Sequence, residues 1–182
     1  MRLYDWLLDR SRVSVTVREG EVYATDRRSL IIASDVVDKP ETLPGESGIY
    51  EVTKTRYRKI GQDPDAKPDE DLSRLISEFN SNWEKWSLVS PTPWVHVAHD
   101  QLSCRVYTMR QSQPVYIDEA FARCLLGPNL YHRTPLYELY GTDPDKPMLI
   151  KHRITWRWVG LIRPTVMTHV VGGFIAEMYT SD

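Results

Sequence analysis

Residues 13–25 read Val-Ser-Val-Thr-Val-Arg-Glu-Gly-Glu-Val-Tyr-Ala-Thr, and the architecture of the chain follows from this pattern. Val13, Val15 and Val17 alternate with polar residues, which is the period of a strand buried on one face. Glu19-Gly20 then supplies a turn, and residues 21–25 alternate again. The segment therefore predicts an antiparallel β-hairpin.

Further elements flank this hairpin within residues 1–61. On its C-terminal side, residues 29–33 predict a buried strand, and Gly48 to Tyr57 predicts a single strand of high β propensity. On its N-terminal side, apolar residues in 3–10 recur at helical spacing, which predicts a short amphipathic helix at the start of the chain. The first half is thus predicted to be one helix followed by strands.

A different pattern occupies residues 62–93. Residues 62–68 contain two prolines and no large apolar side chain, which is typical of a surface linker. Helical spacing then joins six apolar residues: Leu72, Leu75, Ile76, Phe79, Trp83 and Trp86. Pro68 suits the first turn of this helix, and the prolines of residues 90–93 end it. We assign 62–93 to a linker and an inserted amphipathic helix.

Residues 94–182 repeat the order of strands and a helix. Asp118 is predicted to cap a short helix that runs through Leu126. Strands are predicted at 94–98, 104–109, 114–117, 136–140, 148–153, 154–162 and 166–175. The sequence therefore predicts a single α+β domain over 1–182. In it, two helix-plus-antiparallel-strands halves, 1–61 and 94–182, share one core, and the amphipathic helix is inserted between them.

The composition is that of an ordinary globular chain. The 182 residues are 41% hydrophobic and 26% charged, with a formal net charge of -2, so no overall positive field attracts nucleic acid or anionic lipid. Cys104 and Cys124 are too few for a disulfide framework. Asp5 and Asp9 interrupt the N-terminal apolar stretch, and no apolar run reaches the ~20 residues that span a bilayer. We expect a cytoplasmic protein without membrane contact.

Three segments share patterns with a known family. Residues 19–30 combine a glycine turn, a strand ending in Ala-Thr-Asp, and a following arginine and leucine. Residues 114–121 run from a strand into a short helix, and residues 147–164 form a strand pair that ends in a proline. In these patterns the chain resembles bacterial DNA sliding clamps and short phage-encoded clamp-like proteins. The resemblance implies a clamp-type domain of two repeats, a DNA-associated role, and a phage or mobile-element source.

The aromatic content points to association. Six tryptophans and ten tyrosines are many for this length, and exposed aromatic side chains commonly anchor protein interfaces. The candidate partner-binding residues are Trp83, Trp86, Trp156 and Trp158, although burial in the core is the commoner fate of such rings. Glycine-rich phosphate loops and a nucleophile elbow are absent from the sequence. We therefore expect a non-enzymatic protein without a cofactor that binds a protein partner or self-associates.

A basic and aromatic segment gives a second hypothesis. Its candidate nucleic-acid-binding residues, interleaved with two of the tryptophans, are Lys151, Arg153, Arg157 and Arg163. Backbone charge together with ring stacking is how many proteins bind single-stranded nucleic acid. The alternative is a solvated sheet face on which the arginine stems cover tryptophan rings. A DNA partner is therefore a prediction secondary to a protein partner.

A histidine cluster gives a third hypothesis, from the enzyme class. His96, His99 and Asp100 are residue types that bind metal ions, so a metal-dependent hydrolase or nuclease is an alternative. On one strand, however, His96 and His99 would point to opposite faces, which disfavours chelation by that pair. The interpretation that we favour is a set of ordinary polar residues at a strand end, with no metal site.

Overall fold

The computed structural model describes residues 12–19, 21–33, 44–53, 56–62, 67–98, 103–110, 113–126, 136–165 and 172–176. Two α-helices lie within these segments, α1 (Pro68–Ser81) and α2 (Glu119–Leu126), and a 3₁₀ turn spans Trp83–Lys85. The strands of the described segments are β1 (Arg12–Arg18), β2 (Glu21–Thr25), β3 (Ser29–Ala33), β4 (Gly48–Thr53), β5 (Arg56–Gly61), β6 (Ser87–Ala98), β7 (Ser103–Met109), β8 (Gln113–Asp118), β9 (Tyr137–Gly141), β10 (Met148–His152), β11 (Trp158–Ile162) and β12 (Gly172–Ala176).

The strands pair antiparallel in the order β5-β4-β1-β2-β3-β11-β10-β9-β6-β7-β8, and β12 pairs with β6. The pairing of β3 with β11 joins the strands of the N-terminal part to those that follow α1, with Leu30 opposite Leu161. Gly160 makes this pairing close, because a Cβ atom at that position would overlap the Leu30 carbonyl oxygen. Glycine is therefore required where the two groups of strands meet.

The main core lies on one face of the sheet. It takes alternate residues of the central strands, such as Val13, Val15 and Ile150, and α2 contributes the fully buried Phe121 and Leu125. The alternation follows from the strand period, which sends every second side chain to the same face. The short helix α2 is thus part of the main core.

A second, smaller core lies on the opposite face of the sheet. Leu72 and Leu75 of α1 pack there against Leu30, Ile32 and Leu149. The i, i+3 spacing of the two α1 leucines places them on one side of the helix. The inserted helix is therefore anchored to the sheet through its apolar stripe.

A β-bulge in β11 sets the positions of the aromatic residues described below. Ile150 pairs with Gly160 and Lys151 pairs with Trp158, so Val159 is the extra residue. Val159 is buried in the main core, whereas Trp158 packs on the α1 face. The extra residue shifts the alternation and brings Trp158 to the same face as Lys151.

Several predicted elements are confirmed. The β1–β2 hairpin forms with Val17 opposite Val22, and Glu19 lies in the turn with a positive φ of 50°. Asp118 caps α2, because its Oδ1 accepts a hydrogen bond from the Phe121 amide at 3.2 Å. The α+β class is confirmed in its broad sense, with the sheet dominating. The helix predicted before Arg12 lies outside the described residues.

The prediction of one strand from Gly48 to Tyr57 is wrong. The chain folds back between Thr53 and Arg56, and the two arms pair as β4 and β5 with Val52 opposite Tyr57. Both arms are rich in strand-forming residues, and no glycine or proline marks the turn. A continuous strand pattern therefore concealed a hairpin.

The prediction that the inserted helix reaches Trp86 is also wrong. Helix α1 ends at Ser81, and the Asn82 amide donates the last helical bond to the Glu78 carbonyl at 3.0 Å. Asparagine has a low helix propensity because its side chain competes for backbone hydrogen bonds. The 3₁₀ turn follows at once, so Trp83 and Trp86 do not lie on one helical stripe.

Strand β6 includes the prolines that were predicted to precede it. It runs from Ser87 to Ala98, with an irregularity between Pro91 and Val95. In this stretch the Thr92 hydroxyl donates to the Val106 carbonyl at 2.5 Å, and the flanking residues Pro91 and Pro93 have no backbone N–H to donate. Strand β6 therefore crosses the predicted boundary at residue 93. The division of the chain into halves 1–61 and 94–182 stays a prediction.

The predicted strand 154–162 is wrong at its beginning. Residues 153–155 form a turn, and β11 starts at Trp158. Two hydrogen bonds close this turn, from the His152 amide to the Arg157 carbonyl and from the Trp156 amide to the His152 carbonyl, both at 2.8 Å. The β10–β11 connection is thus a tight hairpin, and its outer residues project from the sheet.

Candidate aromatic binding surface

Four aromatic rings form a cluster on the α1 face: three come from α1, β9 and β11, and the fourth is Trp86, between the 3₁₀ turn and β6. Phe79 of α1 lies 5.6 Å from Trp86, 5.5 Å from Tyr140 and 4.9 Å from Trp158, measured between ring centroids. All three contacts are edge-to-face, the arrangement that aromatic quadrupoles favour. Phe79, Trp86, Tyr140 and Trp158, which we call the aromatic cluster, thus fix the end of α1 to strands β9 and β11.

The Lys151 ammonium lies among three rings at the edge of this cluster. Its Nζ atom is 4.6 Å from the centroid of Trp156, 5.1 Å from that of Trp158 and 5.9 Å from that of Tyr140. Distances within about 6 Å give a favourable cation–π interaction. Lys151 therefore connects the aromatic cluster to Trp156, which belongs to the following turn.

The turn of residues 153–157, which we call the display turn, exposes two large apolar side chains. Ile154 is 74% exposed and Trp156 is 67% exposed. The Trp156 backbone has a φ of 61°, in the left-handed region that is unfavourable for a bulky side chain by about 1–3 kcal/mol. The hydrogen bonds of the turn and the Lys151 contact hold this conformation, so the ring is presented in a fixed position.

His152 braces the base of the display turn. Its Nδ1 atom accepts a hydrogen bond from the Thr155 amide at 3.3 Å and lies 2.8 Å from the Thr155 hydroxyl oxygen. Its ring packs edge-on against Tyr137 on β9, with centroids 5.4 Å apart. Burial lowers the pKa of His152 below its ordinary value of 6.5. The imidazole is therefore neutral at pH 7, which keeps Nδ1 free to accept.

The polar groups beside the cluster pair with one another. The Tyr140 hydroxyl donates to Glu138 at 2.9 Å, and burial, followed by this carboxylate, raises the pKa of Tyr140 to about 12. Glu138 also lies 4.0 Å from the Arg153 guanidinium. One acidic side chain thus offsets part of the positive charge of this surface.

The four predicted partner-binding tryptophans fall into two pairs. Trp86 and Trp158 are half-buried in the aromatic cluster, where they stabilise the fold. Trp83, in the 3₁₀ turn, is 66% exposed, close to the value for Trp156. Of these four residues, only Trp83 and Trp156 are mostly exposed, and both lie on short turns that adjoin cluster residues in the chain.

The four predicted nucleic-acid-binding residues do not lie together. Arg153 and Arg157 are the first and last residues of the display turn and are exposed, and Lys151 precedes the turn and lies among the rings. Arg163 is five residues beyond Trp158, about 16 Å at 3.3 Å per residue along a strand. There its amide donates to the Arg28 carbonyl at 2.7 Å. Three of the four cations therefore belong to the surface around Trp156.

The histidine cluster is described only in part. His96 lies on β6, is fully buried, and packs edge-on against Tyr116 with centroids 5.8 Å apart. His99 and Asp100 lie outside the described residues. Within the described segments, no group of three histidine, cysteine or acidic residues is arranged to hold a metal ion. A metal-dependent activity therefore stays a prediction. The two cysteines, Cys104 and Cys124, are both buried free thiols.

Sequence reasoning missed two residues that matter to this surface. The pattern predicts only that Tyr140 lies on a strand, and it does not indicate the contacts with Phe79 of α1 and Trp158 of β11. Ile154 was placed within a strand, because residues 153–157 contain no glycine, proline or asparagine to signal a turn. Ile154 is exposed because it lies in this turn, and the sequence pattern does not predict the left-handed backbone conformation of Trp156 that the turn contains.

Comparisons with known proteins give one weak structural match. No family model matches the sequence, and no curated protein matches it. Among solved structures, the chain is similar to a DNA polymerase sliding clamp from Caulobacter crescentus, with 13% sequence identity and a TM-score of 0.30. The match covers 86% of this chain and 58% of the clamp chain. This is a weak structural resemblance.

Neither helix in the described segments has the length and apolar character needed to cross a membrane.

Proposed function

We propose that this chain is a non-enzymatic binding protein that docks a protein partner on the exposed side chains of Ile154 and Trp156, which we call the aromatic surface. The observation that carries the proposal is the exposure of Trp156 on a strained turn that four hydrogen bonds, a cation–π contact and an aromatic cluster support. Large exposed rings held in fixed positions are typical interface hot spots.

Pre-organisation supports a binding role over incidental exposure. An interface side chain that is already ordered loses little conformational freedom on binding, so more of the contact energy appears as affinity. Trp156 is ordered by Lys151 and by the His152 turn bonds, and Ile154 is two residues away on the same turn. A strained backbone such as that of Trp156 costs free energy of folding, and strained residues of this kind are concentrated at functional sites.

The test compares the parent chain with an Ile154→Ser/Trp156→Ser variant. Trp94→Ser is the matched control, because Trp94 is 46% exposed on β6, outside the display turn. Light scattering over a concentration range detects self-association, and affinity capture from the native cells detects another protein. We expect either the assembly or a stoichiometric partner to persist in the control and to be lost in the double variant. A monomeric chain that retains no protein would contradict the proposal.

A second candidate is binding of single-stranded DNA around Trp156. It is favoured by one observation: Lys151 lies 4.6 Å from an exposed ring, and the turn that carries this ring also carries the exposed Arg153 and Arg157. Base stacking together with backbone charge is the mode that single-strand binding sites use. The resemblance of residues 19–30 to sliding clamps supports a DNA-associated, clamp-like role, and with it a phage source and a cytoplasmic location. Binding should weaken steeply with salt, and Arg153→Ala with Arg157→Ala should reduce that dependence. A complete lack of binding at low salt would exclude this candidate.

A further inference from the structure

Arginine side chains gather at one end of the sheet, where neighbouring strands begin or end. Strand β1 begins there with Arg12, the β2–β3 turn carries Arg27 and Arg28, and Arg163 follows directly after β11. The registers of β1 with β2 and of β3 with β11 bring these positions to the same end. The Arg163 amide donates to the Arg28 carbonyl at 2.7 Å. We call these four residues the arginine patch.

Two members of the patch project to the face of the sheet that carries α1. Val13 and Ile162 belong to the main core on the opposite face. Successive side chains of a strand alternate between faces, so the adjacent Arg12 and Arg163 point away from the main core. Strands β1 and β11 therefore contribute cations to the same side of the sheet.

The patch has no anionic partner within the described segments. All four arginines are exposed, and none of their guanidinium groups forms an ion pair there. The nearby carboxylates are engaged elsewhere: Glu51, opposite Arg12, pairs with Arg58, and Asp26 Oδ1 accepts two amides of its own turn at 2.8 and 2.9 Å. On α1, two carboxylates pair with Arg74 of the same helix.

Arg27 occupies a position that an arginine fills at a cost. Its φ is 74°, in the left-handed region where glycine or asparagine is less strained. The turn is fixed by side chains, since the Thr25 hydroxyl oxygen accepts the Arg27 amide at 3.0 Å. Strained residues are concentrated at functional sites, so an arginine here supports a role for its charge.

The dimensions of the patch match an extended peptide. Strands β1, β2, β3 and β11 are neighbours in the sheet, so the patch covers three strand spacings, about 14 Å in total. Alternate side chains of an extended segment point the same way, and positions i, i+2 and i+4 also span about 14 Å. A guanidinium group binds a carboxylate through two parallel hydrogen bonds. Acidic residues at alternate positions would therefore reach successive arginines.

Nucleic acid matches the patch less well. Single strands bind where cations are combined with exposed rings. The exposed rings of the described segments lie elsewhere, Trp156 in the display turn at the other end of β11 and Trp83 and Trp94 in the 3₁₀ turn and β6. A duplex site typically neutralises about 6–10 phosphates. Here the β9–β10 turn, with Asp143 and Asp145, lies at the same end of the sheet and would repel a phosphate backbone.

We propose that the arginine patch docks an extended acidic segment of another protein, whose carboxylates at alternate positions bind Arg12, Arg28 and Arg163. The exposed and unpartnered positive charge carries this proposal, and the spacing of the strands selects the extended segment. The patch shares no residue with the aromatic surface, so neither proposal depends on the other.

Three probes added to the full chain test the proposal. The first is a capped peptide, Gly-Ser-Glu-Ser-Glu-Ser-Glu-Ser-Gly, the second has Gln in place of each Glu, and the third is tetrathymidylate, which carries the same number of negative charges as the first. NMR at low salt follows the side-chain Nε–H signals of Arg28 and Arg163 and gives affinities from their shifts. We expect the acidic peptide to shift both signals, the Gln peptide to shift neither, and tetrathymidylate to bind more weakly than the acidic peptide.

Charge reversal separates the patch from general attraction. In Arg28→Glu/Arg163→Glu the acidic peptide should bind at least about fivefold more weakly, followed by the backbone amide signals of the β2–β3 turn. Arg153→Glu/Arg157→Glu makes the same change of net charge in the display turn and should alter the affinity by less than about twofold. Both variants should unfold near the temperature of the parent, because the substituted side chains are exposed.

Four results would each overturn the proposal. They are equal shifts with the Glu and Gln peptides, equal weakening in the two double variants, tighter binding of tetrathymidylate than of the acidic peptide, and no shift of the Arg28 and Arg163 signals with any probe. The third result would assign the patch to nucleic acid instead.

Discussion

The Lys151 ammonium lies 4.6 Å from the centre of the Trp156 ring, and this contact joins the rigid sheet to the display turn. Lys151 is held on β10 opposite Trp158, within the aromatic cluster. Trp156 is held on a backbone with φ of 61°. Trp156, the most exposed tryptophan of the described segments, is thereby held by a lysine that belongs to the sheet. This contact is the structural basis of the proposed docking surface.

The cation–π contact can be tested by Lys151→Met, which keeps an apolar stem and removes the charge. We expect the free energy of unfolding to fall by about 0.5–1 kcal/mol, and the Trp156 indole NMR signal to broaden, because the ring loses its cation. Lys146→Met, on the exposed β9–β10 turn, is the control. An unaltered Trp156 signal in Lys151→Met would show that the ammonium does not hold the ring.

The stability of the chain should depend on the protonation of His152. Burial lowers the pKa of the folded form below the value of 6.5 expected when the chain is unfolded. Above pH 7 His152 is neutral in both the folded and the unfolded chain, and its full contribution to the free energy of unfolding is present. As the pH falls below 6.5, the unfolded chain binds the proton first, so stability declines until the folded pKa is passed.

Urea unfolding of the parent and of His152→Gln between pH 5 and pH 8 measures this effect. The difference in unfolding free energy between the two should shrink as the pH is lowered, because protonation removes the acceptor that the Thr155 amide uses. A difference that stays constant with pH would mean that Nδ1 does not brace the turn.

Gly160→Ala tests the junction between the two groups of strands. A Cβ atom there would overlap the Leu30 carbonyl, which is backbone and cannot move aside without separating β3 from β11. We expect a loss of at least about 2 kcal/mol in the free energy of unfolding. Gly45→Ala is the control, since its Cβ would have no atom within 4 Å. Similar denaturation midpoints for the two variants would refute the close approach.

The buried ion pair beneath α2 should be worth far more than a surface pair. Arg105 contacts Glu119 through two hydrogen bonds of 2.8 and 3.0 Å, and the two side chains are 3% and 11% exposed. Glu119→Gln leaves a buried guanidinium facing a neutral amide, and should cost about 3–5 kcal/mol.

Glu51→Gln is the matched surface control, because its pair with Arg58 is largely exposed and should be worth at most about 1 kcal/mol. Both variants can be compared by denaturant unfolding. Equal losses for Glu51→Gln and Glu119→Gln would imply that water reaches the Arg105–Glu119 pair.

Local patterns predicted much of the sheet. The first hairpin was predicted from the alternation at Val13, Val15 and Val17 and from the Glu19-Gly20 turn. Both signals depend only on residue types that are adjacent in the chain. The apolar stripe with Leu72 and Leu75 likewise predicted α1. The patterns of these elements depend on near neighbours in the chain. The hairpin forms where the pattern places it, and α1 begins where predicted but ends at Ser81.

The errors lie where long-range contacts override local preference. No residue type marks the extra residue Val159, and without that bulge Trp158 would not reach the face of Lys151. The display turn is similar, because Trp156 adopts a conformation that its type disfavours. The site was therefore half predictable: the tryptophans were identified, but which of them are exposed depends on pairings between distant strands.

A photo-crosslinking measurement tests the central claim that Trp156 docks a protein. A benzophenone amino acid replaces Trp156 in one chain and Trp94 in a second, and both chains are irradiated in the native cells. We predict one dominant protein adduct, to another protein or to a second copy of the chain, from position 156 and not from position 94. The same weak set of products from both positions, or no adduct from 156, would contradict the account.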